Sequence, residues 1–403
     1  MSTEDELRAA GVPIQPAILQ SRVWIDALKA LGYQFRMNLC DDSIEINHHG
    51  SKLTDDVMAE IRTQMRDRGV KRDLKAVEDA YITEARHNGY HPIKAHLNAL
   101  AGQWDGQDRL TELALKLKSD SGVVTYSDGR ITPLHAVYLG RWMIGVLAKA
   151  LDGQQNPVLT LDGGQGIGKS LFARWLCPMG DAWFLEGPIN PADKDSDIRL
   201  MTKLVWEVSE LDATTRKADV SALKSFLTRG QVTVRKAYGR FDITKPALCS
   251  FIGTINGTAS GFLNDETGSR RFMIVRLTAI DWSYRTIDRD QLWSQIYHLY
   301  REQGMTNELT PEEQAAQRTI NEQYRMASPI DDWIAKYFII TGDDSDVLAM
   351  GDILEHLADK GHRLHGSERA MAMEVGQSLV KFGCTKLHTR MGNRWGGIAL
   401  KHA

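Results

Sequence analysis

Residues 163–170 read GGQGIGKS, a G-x-x-x-x-G-K-S run set between an apolar stretch, PVLTLD, and a helical one, SLFARWL. Spacing of this kind binds phosphate. Glycines let the backbone turn so that successive N–H groups point inward at anionic oxygens. The helix that follows adds the positive end of its dipole. The lysine reaches the β- and γ-phosphates, and the hydroxyl after it ligates Mg2+. Gly163, Gly164, Gln165, Gly166, Ile167, Gly168, Lys169, Ser170 and Leu171 are therefore the expected ATP-binding residues. Lys169 is expected to be catalytic and Ser170 a metal ligand, with ATP and Mg2+ as the cofactors.

A phosphate loop alone does not separate a kinase from a switch or a motor. The strands beyond it decide. KLVWEVSELD, residues 203–212, reads as a strand beside the loop carrying Glu207 within it and Glu210 at its end. Ligands bind outside the carboxyl ends of strands in open α/β sheets. Glu210 is thus the first choice for metal ligand and base, while Glu207 either completes the metal shell or pairs in the interior. SFIGTINGT brings Asn256 to another strand end, where its amide could orient a hydrolytic water or cap a turn with Gly257. VTVRKAYGRFDITK reads as a hairpin with Arg235, Lys236, Tyr238 and Arg240 near its turn. Such residues suit a nucleic-acid backbone and a base face; an ordinary solvated hairpin is the plainer alternative.

The stretch NDETGSRRF, residues 264–272, sets Arg270 and Arg271 between two apolar runs. Two buried guanidinium groups are costly unless an anion meets them. In a head-to-tail ring, each interface joins two different surfaces, so the anion can be a nucleotide held by the neighbour. Arg270 is favoured as the transition-state finger, with Arg271 as a second contact or tether. Otherwise both pair with Asp265 and Glu266. His48, His49, His87 and His91 promise no metal site, because Gly89 and Pro92 spoil any helical ligand pair.

These groups need a scaffold. From about residue 152 to 305, short apolar runs alternate with helical segments, which predicts a mostly parallel sheet covered on both faces. Upstream, residues 1–100 mix amphipathic helix signals with a possible hairpin, YQFRMNLCDDSIEIN, and 101–151 form a helical lead-in. Within that lead-in, TPLHAVYLGRWMIGVLAKAL has helical spacing and a Thr-Pro start suited to a cap and first turn. Downstream, 306–327 read as a helical connector, and 328–403 as helices followed by a hairpin, resembling a winged-helix module. A net charge of −3 over 403 residues gives no global pull toward nucleic acid, so any such contact must be a local patch. Four scattered cysteines without a CxxC pair argue against zinc and disulfides and fit a reducing cytoplasm. The acidic start, MSTEDELRAAG, is expected to be no signal peptide, and WMIGVLAKAL is too short to span a membrane.

The order of phosphate loop, Glu-ended strand, basic hairpin, Asn-ended strand and D-x-T-G-x-R-R-F resembles the virulence-associated protein E family. Those are P-loop ATPases of phages and mobile elements, related to superfamily 3 helicases within the AAA+ class. Upstream, Trp104, Asp105, Gly106, Arg109 and Leu110 match the family's W-D-G-x-x-R-L signature. The resemblance covers about 80 to 280 and implies an AAA+-like core with the loop strand central. It further implies ATP hydrolysis at subunit interfaces of a homo-oligomeric, typically hexameric ring acting on single-stranded or forked DNA, alongside a primase or other replication proteins. By motif match Lys169 and Ser170 are the Walker A pair, Glu210 the Walker B acid and Asn256 the sensor. The acid strand lacks the familiar Asp-Glu ending, and residues 1–100 show no convincing primase domain.

A replicative helicase is the leading expectation. The same motifs serve a nucleotide-switched initiator or loader with little unwinding activity. A P-loop kinase fits less well, given the strand-end carboxylate and the basic hairpin.

Overall fold

Helices form here where apolar residues recur at helical spacing, and strands where short apolar runs can be covered on both faces. The computed structural model describes residues 16–47, 51–69, 74–191, 193–211, 220–235, 242–257, 263, 269–324, 329–343, 345–362, 367–389 and 392–401. The chain divides into two units, 1–323 and 324–403.

Among the described residues, the first unit opens with helix α1 (Pro16–Ala30) and an antiparallel meander, β1 (Phe35–Asn38), β2 (Ser43–Ile46) and β3 (Ser51–Lys52). Helices α2 (Asp55–Asp67) and α3 (Leu74–His87) complete a small core around Leu28, Phe35, Ile61, Met65 and Tyr81. Helix α4 (Pro92–Ala99) is capped by His91, which also lies 3.5 Å from the Cys40 thiol. Burial pushes that thiol up to about 12 and the imidazole down to about 4. Both groups are neutral at pH 7. Helix α5 (Arg109–Leu115) leads to β4 (Leu117–Ser119) and a short hairpin, β5 (Val123–Thr125) with β6 (Ile131–Pro133).

Helix α6 (Leu134–Asp152) is buried almost all round, as its continuous apolar sequence requires. Gly153 ends it in the left-handed conformation, φ 73°. Thr132 and Pro133 do not form its first turn as the sequence suggests. They belong to β6, and the first helical amide, Leu134 N–H, donates instead to Gly122 O at 3.0 Å.

The central sheet then assembles from β7 (Val158–Gly163), β8 (Phe184–Glu186), β9 (Val205–Val208), β12 (Ser250–Asn256) and β13 (Phe272–Ile280), in the order β4-β13-β7-β12-β9-β8. All neighbours are parallel except β4 on β13. The hairpin β10 (Gln231–Arg235) with β11 (Asp242–Pro246) stands outside it. Helices α7 (Lys169–Leu176), α8 (Lys194–Thr202) and α9 (Val220–Leu227) alternate with these strands, and α10 (Arg289–Arg301) and α11 (Pro311–Glu322) follow. Trp142 and Trp293 fix two of the helices, their indole N–H groups donating to Phe251 O and Leu176 O at 3.0 Å.

The W-D-G-x-x-R-L loop is a clasp. Asp105 grips Arg109 through two oxygens at 2.5 and 2.7 Å. Gln291 of α10 accepts from Asp105 N–H and donates to Gln103 O, each at 2.9 Å. Gln295, one helical turn on, accepts from Leu110 N–H and donates to Asp108. Helix α11 is likewise tied to the sheet, with Gln317 and Asn321 donating to Phe272 O at 3.0 and 3.2 Å.

The second unit orders helix α12 (Pro329–Tyr337), β14 (Phe338–Ile340), β15 (Val347–Ala349), α13 (Met350–Asp359), α14 (Glu368–Lys381), β16 (Thr385–Thr389), β17 (Gly392–Gly396) and β18 (Ile398–Leu400). Strands pair as β15-β17-β16 and β14-β18 around a core of Ile334, Ile353, Leu379 and Trp395. Across the described residues, no helix is long and apolar enough to cross a membrane. All four cysteines are free and buried.

Candidate active site

The loop after β7 must turn tightly against a neighbouring strand, and its glycines answer that need. A Cβ on Gly163 would lie 2.5 Å from Leu277 O, a backbone atom that cannot retreat. Gly166 and Gly168 adopt φ of 82° and 99°, a region that side chains disfavour. Lys169 opens α7 and is 7% exposed. Its ammonium donates to Gly163 O at 2.7 Å, Gly164 O at 2.9 Å and Asn256 Oδ1 at 3.3 Å. Burial lowers its pKa, opposed by the charges of Asp162 and Glu207.

The next residue meets the acid. Ser170 Oγ donates to Glu207 Oε1 at 2.6 Å, and Thr254 Oγ1 donates to the same oxygen at 3.1 Å. Glu207 is fully buried, and its Oε2 has no hydrogen-bond partner among the described residues. Desolvation raises its carboxyl pKa, and the Ser170 bond opposes the rise; Glu186, opposite it on β8, raises it further.

One expectation changes here. The acid strand does not lie beside the loop strand, because β12 runs between β7 and β9. That intervening strand delivers Thr254 and Asn256, two residues apart and so on one face. The carboxylate that Ser170 meets is Glu207. Strand β9 ends at Val208, and Glu210 follows in an exposed turn at φ 51°. Leu211 pins that turn by packing on Gly253, where a Cβ would come within 2.4 Å of Leu211 Cδ2.

The structure thus brings together Lys169, Ser170, Glu207 and Asn256, with Glu210 in the turn that follows the acid strand. Thr254 was not singled out in the sequence; a T-x-N pair closing a buried strand was its only signal. Arg270 and Arg271 lie elsewhere. Arg271 O accepts from Val158 N–H at 2.7 Å, at the start of β7, whereas the glycine loop leaves its end. Six residues of parallel strand, about 20 Å, separate the two. Arg270 is exposed, with its carbonyl held by Gln317 at 3.2 Å. Arg235 is exposed and paired with Asp242 at 2.9 Å. Lys236, Tyr238 and Arg240 lie outside the described residues, as do Asp265 and Glu266.

A glycine loop with left-handed turns, a buried lysine and a serine–carboxylate pair can hold a polyphosphate with a hard cation. A model of the virulence-associated protein E-like domain matches residues 97–326, more than half of the chain. This chain belongs to the virulence-associated protein E-like family. The matched stretch contains the clasp, the phosphate loop, the acid strand and both arginines. Among solved structures, an apo structure of the NrS-1 C-terminal region, residues 305–718, is similar at 14% identity and TM-score 0.50, covering 93% of this chain and 98% of that one. Two further structures of that region give TM-scores of 0.49 and 0.48 at 13% and 14% identity, covering 92% and 93% of this chain and 98% and 99% of those. The likeness to the first is one of fold. A search of curated proteins finds no match.

Proposed function

We propose that this family member is an ATP-hydrolysing, ring-forming DNA motor of the superfamily 3 helicase kind, serving replication of a phage or mobile element. One observation carries the reading: Ser170 and Lys169, consecutive in the loop, contact Glu207 and Asn256 from two different strands. The residues present fit Mg2+. Ser170 Oγ and the Glu207 carboxylate are hard oxygens, and the buried, unpartnered Glu207 Oε2 is the kind of atom a cation satisfies. When bound there, the ion supplies charge neutralisation at the β- and γ-phosphates.

The chain's own groups do the rest. Loop N–H groups from 163–168 hold the phosphates, and Lys169 moves from its carbonyl contacts to the γ-phosphate. Asn256 orients the attacking water. Glu210, in its exposed turn, accepts the water's proton. Arg270 or Arg271 of a neighbouring subunit meets the developing charge, since both immediately precede β13, at the far end of β7 from their own loop. The helix–hairpin order of residues 324–403 supports a winged-helix module, and the β10–β11 hairpin supports a DNA contact.

The decisive experiment measures ATP turnover with and without single-stranded DNA, alongside the mass of the ATP-bound assembly. Turnover that rises with DNA, vanishes in Lys169→Ala and accompanies a closed oligomer is the expected outcome. A monomer that phosphorylates a small molecule would end the motor reading.

A further inference from the structure

Trp282 is 44% exposed, unusual for the largest side chain, and it stands directly beside the phosphate loop. A Cβ on Gly168 would lie 2.9 Å from both Cη2 and Cζ2 of its ring. The sheet explains the position. Strand β13 runs parallel to β7 and pairs Leu277 with Gly163. The turn that follows β13, Trp282–Thr286, therefore emerges at the edge where the loop emerges.

That turn is held rigidly. Asp281 N–H donates to Lys116 O at 2.8 Å, and the Asp281 carboxylate caps it through Ser283 N–H at 3.0 Å. Tyr284, fully buried, wedges edge-on against Phe172 at 5.2 Å and Trp175 at 5.1 Å, both on the loop's own helix α7. The Arg285 guanidinium lies over the Trp282 ring at 4.5 Å. Leu171, 48% exposed, is the other large apolar side chain left open in the first turn of α7.

We propose that Trp282, backed on one face by Arg285, is the platform on which the base of the nucleotide stacks, making this a site for nucleoside triphosphates rather than for polyphosphate alone. The inference rests on the nucleotide-site reading above and deepens it. Phosphates cradled by 163–170 fix one end of the ligand, and the sugar and base must leave past α7. A half-exposed indole fixed beside Gly168 receives an aromatic base on the ring face that Arg285 does not cover.

Calorimetry with two probes, Mg2+–ATP and Mg2+–tripolyphosphate, separates the claims. Loss of a base–aromatic stack in Trp282→Ala should weaken ATP by about 5- to 150-fold and leave tripolyphosphate unchanged, while Trp282→Phe keeps most of the ATP affinity. Unchanged ATP binding in Trp282→Ala overturns the proposal. So does an equal loss of both probes, which marks the residue as a mere support of the loop. Lys169→Ala should weaken both probes; if it weakens neither, the phosphate site itself is wrong and the base platform falls with it.

Discussion

Replacing Glu207 in two ways separates its chemistry from its packing. The carboxylate is fully buried and accepts from Ser170 at 2.6 Å and Thr254 at 3.1 Å through one oxygen. Glu207→Gln keeps that acceptor and removes the charge. It exchanges a buried, unpartnered oxygen for a buried NH2, so the lost charge-assisted bonds and the relieved desolvation nearly cancel, to within about 1 kcal/mol. Glu207→Ala strands two hydroxyls and opens a cavity, at about 2–4 kcal/mol. For a unit of 323 residues, each kcal/mol moves Tm by about 2 °C, so alanine should lower it by about 4–8 °C and glutamine by about 2 °C at most. Both should lose at least about 100-fold in ATP turnover if Glu207 holds the cation. The pH dependence adds a signature. Because burial raises this carboxyl pKa from 4.5, the folded chain binds the proton more tightly, and stability should fall as pH rises from 4.5 through the folded value. Glu207→Gln should flatten that slope. Calorimetric melting from pH 4 to 8 and a phosphate-release assay read both quantities. A glutamine variant with ordinary turnover, or one as unstable as alanine, refutes the assignment.

Three other outcomes are open to test. Lys149 is 1% exposed, its Nζ has no hydrogen-bond partner among the described residues, and burial lowers it from 10.5 to about 8; it opposes folding below pH 8 by about 3 kcal/mol, a penalty that fades between 8 and 10.5. Lys149→Met should therefore raise Tm at pH 7 and lose that advantage above pH 10, and a lower Tm at pH 7 counts against the reasoning. Gly253→Ala forces Leu211 aside and should cost about 1–3 kcal/mol; it should slow turnover more than it weakens ATP binding, and equal losses in both would deny the Glu210 turn a catalytic part. Arg270→Ala and Lys169→Ala chains, each inactive alone, should regain hydrolysis when mixed, because one kind of interface then pairs an intact loop with an intact arginine; mixed oligomers without activity, with Arg271→Ala failing equally, would exclude action in trans.

The phosphate loop was legible because its chemistry demands contiguous residues, and β7 and α7 followed from their apolar runs. The roles of the two acids could not be divided from the sequence, since their placement depends on where β9 stops. The backbone leaves the sheet after Val208 and turns at Glu210 through a left-handed φ, a break that no residue type in KLVWEVSELD announces. Strand order was equally hidden, because parallel strands joined by helices carry no local mark of which neighbour they choose, so Thr254 went unnoticed. The W-D-G-x-x-R-L residues could be read as a signature but not as a fastening, because Gln291 and Gln295 bond to residues 186 and 185 positions away and are unremarkable alone.

That fastening has a bearing on inheritance and on cutting. It holds together two points 185 to 188 positions apart in the chain, so everything between them is a closed circuit. Closing so large a circuit costs little more entropy than closing a shorter one, about 0.6 kcal/mol per doubling, and a handful of amide contacts can hold it. A fragment begun at the glycine loop would open the circuit. It would release α10 and with it Trp293, whose indole anchors Leu176 at the far end of α7. The smallest transferable cassette therefore begins some sixty residues ahead of the motif that names its chemistry. A recombination event falling between clasp and loop would deliver the glycines without the frame that keeps their helix in place.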